Sequence, residues 1–179
     1  MNPSRRLAGL AALGASVLML GACAPLTVHS FTVRGTNFAT YRTYGWADDA
    51  SRATGDPRLD NNPFFQTRIQ TDTDRQLTTL GFEKVASAPD LLVHYHASVT
   101  QKLDIGAADQ AYACDDCPGP SMYDAGTILL DIVDARSSKL VWRGWAETNM
   151  DGVVNNQASL EQRIDEAIAK IVATIPGRL

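Results

Sequence analysis

The spacing of apolar and polar positions changes several times along the chain, and each change marks an element. Positions 7–20 form an apolar run without a charge, preceded by Arg5 and Arg6. Positions 27–34 and 41–46 are short, β-branched and aromatic stretches with modest alternation, which predicts two strands. Positions 47–62 lose apolar content and collect Asp, Gly, Arg and Pro, which predicts a loop. A helix is predicted to start at Asn62-Pro63, because Asn accepts from an orphan N–H and Pro at the first helical position sacrifices no hydrogen bond. Phe65, Ile69, Leu77 and Leu80 then recur at helical spacing up to Gly81, a plausible stop.

Positions 90–102 give the longest strand, with Leu91, Val93, Tyr95, Ala97 and Val99 on one face and Leu92, His94, His96, Ser98 and Thr100 on the other. Positions 103–125 show no period and read as irregular. Two further β-rich runs, 127–134 and 139–148, flank Ala135-Arg136-Ser137-Ser138, a connection suited to an antiparallel hairpin. Ser159-Leu160-Glu161-Gln162 has capping-box spacing, and Leu160, Ile164, Ala167, Ile168, Ile171, Val172 and Ile175 make a broad helical stripe. The order β-β-α-β-β-β-α predicts an α+β fold: a mainly antiparallel sheet with two helices packed on one face, and no strand order fixed. No internal repeat is visible.

The apolar run at the start is a signal peptide rather than a membrane span, since spanning takes about 20 apolar residues. Its end, Leu20-Gly21-Ala22-Cys23, resembles a lipobox, in which small residues admit the peptidase and the thiol of Cys23 takes a diacylglycerol thioether. Several acyl chains anchor firmly where one would not. By similarity to Gram-negative lipoproteins, Ala24 in place of an Asp favours the outer membrane, facing the periplasm, over the inner membrane. The expected organisation is a signal peptide at 1–22, a lipidated N-terminus and tether at 23–26, and a single domain at 27–179.

Sixteen Lys and Arg against 20 Asp and Glu give a net charge of −4, and two of those cations belong to the signal. No basic patch appears, so nucleic acid is not an expected partner. With Cys23 lipidated, Cys114 and Cys117 remain as an even pair in an oxidising compartment, and a local disulfide is the default reading.

A family resemblance rests on the stretch from Phe38 through Tyr41, Tyr44 and Gly45 to Trp46, on Leu80-Gly81-Phe82, on Pro89-Asp90-Leu91-Leu92-Val93, and on Leu140-Val141-Trp142-Arg143-Gly144. Together they resemble the domain of unknown function 4136 family, whose members are mostly bacterial lipoproteins. The likeness runs from about Ser30 to Pro176. It implies no catalytic motif, and the Cys114-Asp115-Asp116-Cys117 insert falls outside the family's general pattern.

Three constellations carry candidate chemistry. His94 and His96 share a strand face with Cβ atoms roughly 7 Å apart, close enough to chelate one zinc or copper; Cys114 and Cys117 would complete a zinc set if their loop folded back. A thioredoxin-like site is disfavoured because Pro118, Gly119 and Pro120 forbid the helix that would lower a thiol pKa. Asp48-Asp49, Asp115-Asp116, Asp56 and Asp60 match no calcium loop. Tyr44, Trp46, Trp142 and Trp145 are candidates for a contact surface, and the opposite strand parity of Trp142 and Trp145 requires one to point outward. There is no Gly-x-Ser-x-Gly elbow and no Ser-x-x-Lys, so no catalytic residue is expected. The expectation is a non-catalytic envelope lipoprotein that binds a protein or polymer partner and carries no cofactor beyond its covalent lipid. The alternative is a metal-binding or thiol-redox protein using His94, His96, Cys114 and Cys117.

Overall fold

The computed structural model describes residues 26–47, 54, 56–60, 62–104 and 121–177. Strands β1 (Thr27–Thr32) and β2 (Thr43–Trp46) are separated by a 3-10 turn, Phe38–Thr40, that Asn37 caps by accepting from Ala39 N. Helices α1 (Pro57–Asp60) and α2 (Pro63–Thr79) follow, then a two-residue strand β3 (Glu83–Lys84). Three long strands, β4 (Leu91–Leu103), β5 (Met122–Asp134) and β6 (Lys139–Asn149), lead to α3 (Gln157–Val172). The six-stranded sheet has the order β1-β6-β5-β4-β2-β3. The β1–β6, β5–β6 and β4–β5 pairs are antiparallel, while β2 runs parallel to both β3 and β4.

The mixed α and β composition and the mostly antiparallel sheet agree with the sequence pattern. Several boundaries need correction. Part of the loop expected at 47–62 is the α1 turn, whose Asp56 accepts from Arg58 N. β5 begins at Met122, inside the stretch expected to be irregular, because its first residues pair with β4 without carrying a core pattern. β3 is too short to leave any periodic signal. α3 starts earlier than the capping box suggests: Asn156 is the cap, accepting from Ser159 N at 3.0 Å, so Ser159 lies inside the first turn.

α2 begins as expected, with the Asn62 side chain accepting from Phe64 N at 3.1 Å and Pro63 at the first position. It ends where Gly81 takes a φ of 83°, a conformation that costs a residue with Cβ. Phe65, Ile69 and Leu77 are buried, but Leu80 stands outside the stripe and is exposed. Every apolar position of the α3 stripe from Leu160 to Ile175 is buried.

β4 alternates as the sequence implies. Leu91, Val93 and Tyr95 are buried, and their partners across the sheet, Leu130 and Ile132 on β5 and Trp142 on β6, continue the same inner face. Trp142 folds over Gly144, where an added Cβ would collide with the indole and stand 2.7 Å from Ile171 Cγ2. Glycine is therefore the residue that lets α3 seat on β6. The Trp142 Nε1 hydrogen is buried with no acceptor among the described residues, a cost that the fold tolerates for the ring's apolar area. A 30 Å³ apolar cavity, lined by Phe65 of α2, Leu160 and Ile164 of α3 and Ala97 and Ile128 of the sheet, is too small for more than a water-sized molecule.

Polar ties fix the helices. Asp74 on α2 accepts from Tyr44 Oη at 2.8 Å and Trp46 Nε1 at 3.0 Å, while its other oxygen accepts from Lys84 Nζ at 2.8 Å. Burial, reinforced by this carboxylate, pushes the Tyr44 hydroxyl well above its ordinary pKa. Between α2 and α3, Arg68 donates to Asp72 at 2.9 Å and to Asp165 at 2.7 Å. Burial pushes Asp72 up to about 6, whereas hydrogen bonding from Arg68 holds Asp165 below the usual carboxylate range.

Candidate functional site

The face of the sheet opposite the core presents a different chemistry. Along β4 it carries Leu92, His94 and His96, along β5 Leu129 and Asp131, along β6 Arg143, Trp145 and Glu147, and along the edge strand β1 His29 and Phe31. The register aligns these in rows. His94, Asp131, Arg143 and Phe31 form one, and His96, Leu129, Trp145 and His29 form the next.

In the first row Arg143 grips Asp131 with two parallel bonds, Nε to Oδ1 at 2.6 Å and Nη2 to Oδ2 at 2.7 Å. That bidentate geometry is the strong form of a carboxylate pair. Hydrogen bonding to Asp131 raises the guanidinium further above its ordinary pKa. Asp131 is buried, so the pair also keeps a carboxylate from being left uncompensated in the sheet. In the second row the His29 ring stacks on the Trp145 indole with centroids 5.1 Å apart and planes inclined by 26°. Phe31, in the adjacent row of the same strand, is 54% exposed. Lys102 Nζ donates to Glu147 Oε2 at 2.6 Å beyond the stack. The outcome is an aromatic strip at one edge of an open sheet face, bounded by two ion pairs.

The predicted site residues separate on this geometry. Trp145 is the outward tryptophan. Trp142 is fully buried, and Tyr44 is buried with its hydroxyl on Asp74, so neither belongs to a contact surface; both fill the core because their strand parity is that of Val93. Trp46 is partly buried, its N–H engaged by Asp74 and its ring edge-on to Tyr95 at 6.3 Å. His94 and His96 share the outer face as expected, and the carboxylate in register with His94, Asp131, is held by Arg143. Among the described residues no cluster of three or more His, Cys, Asp or Glu side chains stands ready for a metal. Cys23, Cys114 and Cys117 lie outside the described residues, as do Asp48, Asp49, Asp115 and Asp116. Asp56 and Asp60 are spent locally, Asp56 on Arg58 and Asp60 on Thr54 N.

Sequence reasoning missed His29, Phe31, Asp131 and Arg143. The signal was present for two of them, since His29 and Phe31 occupy alternate positions of a predicted strand. Only the register with β6 brings them to Trp145.

The sheet thus pairs a buried inner face with an outer face that carries aromatic and charged side chains. The chain belongs to the family described as Domain of unknown function (DUF4136), whose sequence pattern matches residues 28–177. No curated protein matches the chain. Among solved structures, a point variant of the PelC dodecamer from Paraburkholderia phytofirmans is similar at a TM-score of 0.51 and 12% identity, over 87% of this chain and 100% of that one. A PDZ domain protein from Parabacteroides distasonis is similar at 0.50 and 10% identity, over 83% of this chain and 36% of that one. A DUF4136 family protein from Bacteroides thetaiotaomicron has a TM-score of 0.49 at 10% identity, over 81% of this chain and 95% of that one. At such identities the first two likenesses show the fold alone.

Proposed function

We propose that the chain is a lipid-anchored envelope protein whose single domain, with both long helices on one side of the sheet, binds a protein or polymer partner non-catalytically through the other side. The anchor is the diacylglycerol and acyl group on Cys23, and Ala24 directs the protein to the outer membrane, facing the periplasm. The observation that carries the reading is the His29–Trp145 stack beside exposed Phe31. Aromatic rings of this kind supply contact area at little entropic cost, and truncating such anchors typically removes most of an interface's strength. The flanking pairs Arg143–Asp131 and Lys102–Glu147 would orient a polar ligand without adding net charge.

A photocrosslinking residue placed at Phe31 or Trp145 in the lipidated protein tests this in cells. Defined adducts from these positions and none from Ser137, at the far hairpin turn, are expected; equal or absent adducts refute the contact surface. Cys23→Ala is expected to move the protein from the membrane to the soluble fraction. Metal analysis and a thiol count address the rival reading. Stoichiometric zinc or copper that disappears with His94→Ala and His96→Ala would replace the binding-module proposal with a metal protein.

A further inference from the structure

The sheet is uneven at one end. β6 stops where Asn149 pairs with Ala125, but β4 and β5 continue together through Gln101–Asp124, Lys102–Tyr123 and Leu103–Met122. This two-stranded ribbon leaves the body where Asp124 is fastened, its carboxylate taking Arg58 Nη2 at 3.2 Å and its N–H donating to Asp151 Oδ1 at 3.0 Å. The last pair is apolar and open to solvent, Leu103 at 48% and Met122 at 56% exposure. They are cross-strand neighbours on one face, not scattered side chains, and so make a continuous patch.

The same end carries the start of β1. Thr27 is level with Glu147 of β6, and Glu147 is level with Thr127 of β5. From Thr127 to Met122 the ribbon advances by about 17 Å at ~3.4 Å per residue. From Thr27 back to Cys23 a fully stretched chain covers at most about 14 Å. The tether is thus no longer than the ribbon, and β1 begins at the end of the sheet from which the ribbon projects.

We infer that the β4–β5 ribbon is a second membrane contact, with Leu103 and Met122 seated in the headgroup boundary of the bilayer that holds the Cys23 lipid. The inference rests on the anchor reading above, which sets where the bilayer lies. Lys102 and Asp104 flank the patch with opposite charges, and Lys102 is already paired with Glu147, so apolar area rather than electrostatic attraction seats this pair. A contact of this kind adds to a lipid anchor and fixes the domain's orientation.

The test uses the lipidated full chain in vesicles of phosphatidylethanolamine and phosphatidylglycerol, with an environment-sensitive fluorescent residue encoded at position 122 or, as control, at position 137. The expected result is that the protein floats with the vesicles and that acyl-chain bromine labels quench position 122 several-fold more than position 137. Leu103→Asp should abolish that difference while flotation persists, and its circular dichroism should be unchanged because the site is solvent-exposed. Flotation with equal quenching at the two positions overturns the ribbon contact and leaves the anchor intact. Quenching that survives Leu103→Asp also overturns it, since apolar seating would not be the cause. Failure to float overturns the anchor reading and the ribbon contact together.

Discussion

Two neighbouring rows of the same three strands are built to opposite specifications. Val93, Ile132 and Trp142 sit side by side on the inner face at 1%, 2% and 0% exposure. One position along, His94, Asp131 and Arg143 form the matching row on the outer face. Backbone, register and hydrogen bonding are shared, so the difference lies entirely in what each face must exclude. The inner row excludes water and is constrained by volume; even a methyl at Gly144 would displace the indole. The outer row remains in contact with water and is constrained by charge balance. Stability is therefore concentrated on one side of the sheet, and the other is the side we propose for recognition.

The sharpest way to break this contrast is Trp142→Ala, which should cost about 3–5 kcal/mol in urea unfolding as a core cavity opens. A loss below about 1 kcal/mol would mean that the inner row is less tightly packed than its burial indicates. Arg143→Ala strands the Asp131 carboxylate. Because the guanidinium is 42% exposed, solvent screening reduces the expected cost to about 1–2 kcal/mol. The double variant with Asp131→Ala should recover most of that loss, which a simple packing role for Arg143 would not produce.

Asp72 extends the comparison to the helix interface, where a carboxyl is buried between two helices rather than on the sheet. Its folded-state pKa is pushed up to about 6 from 3.8, so the folded protein holds this proton more tightly than the unfolded chain. Its contribution to stability is complete below about pH 4 and is lost as pH rises through about 6. Asp72→Asn should therefore match the wild type at pH 4 and be more stable by about 1 kcal/mol at pH 7 in chemical denaturation. An equal difference at both pH values would locate the effect in geometry rather than ionisation. The smallest expected effect on stability belongs to Trp145→Ala, within about 0.5 kcal/mol of wild type. The same change should nevertheless eliminate the adducts formed from Phe31; intact adducts would detach the aromatic strip from recognition.

Much of the inner face was legible from the sequence because burial imposes a period. Leu91, Val93 and Tyr95 announce β4, and the α3 stripe announces its own packing face. The outer face imposes no such period, since its rows form only through pairing between strands distant in sequence. Nothing local to His29 indicates that Trp145 will lie beneath it. The parity of Trp142 and Trp145 established that one must face outward, but the choice depended on which of them shares the side of Val93. The parallel placement of β2 beside β4 was equally hidden. Asp90, which accepts from both Arg42 N and Thr43 N, fastens those strands through contacts that no hydrophobic spacing encodes.

The rim of β1 gives the molecule a front from which a sheet can grow. This strand lies at the end of the strand order and contains Thr27, Val28, His29, Ser30, Phe31 and Thr32, with neither proline nor a charged residue to blunt it. Among the described residues no strand pairs with its outward amides and carbonyls, the kind of edge on which another extended chain can be templated. A lysine introduced at Ser30 would turn that front into a barrier while leaving His29 and Phe31 in place.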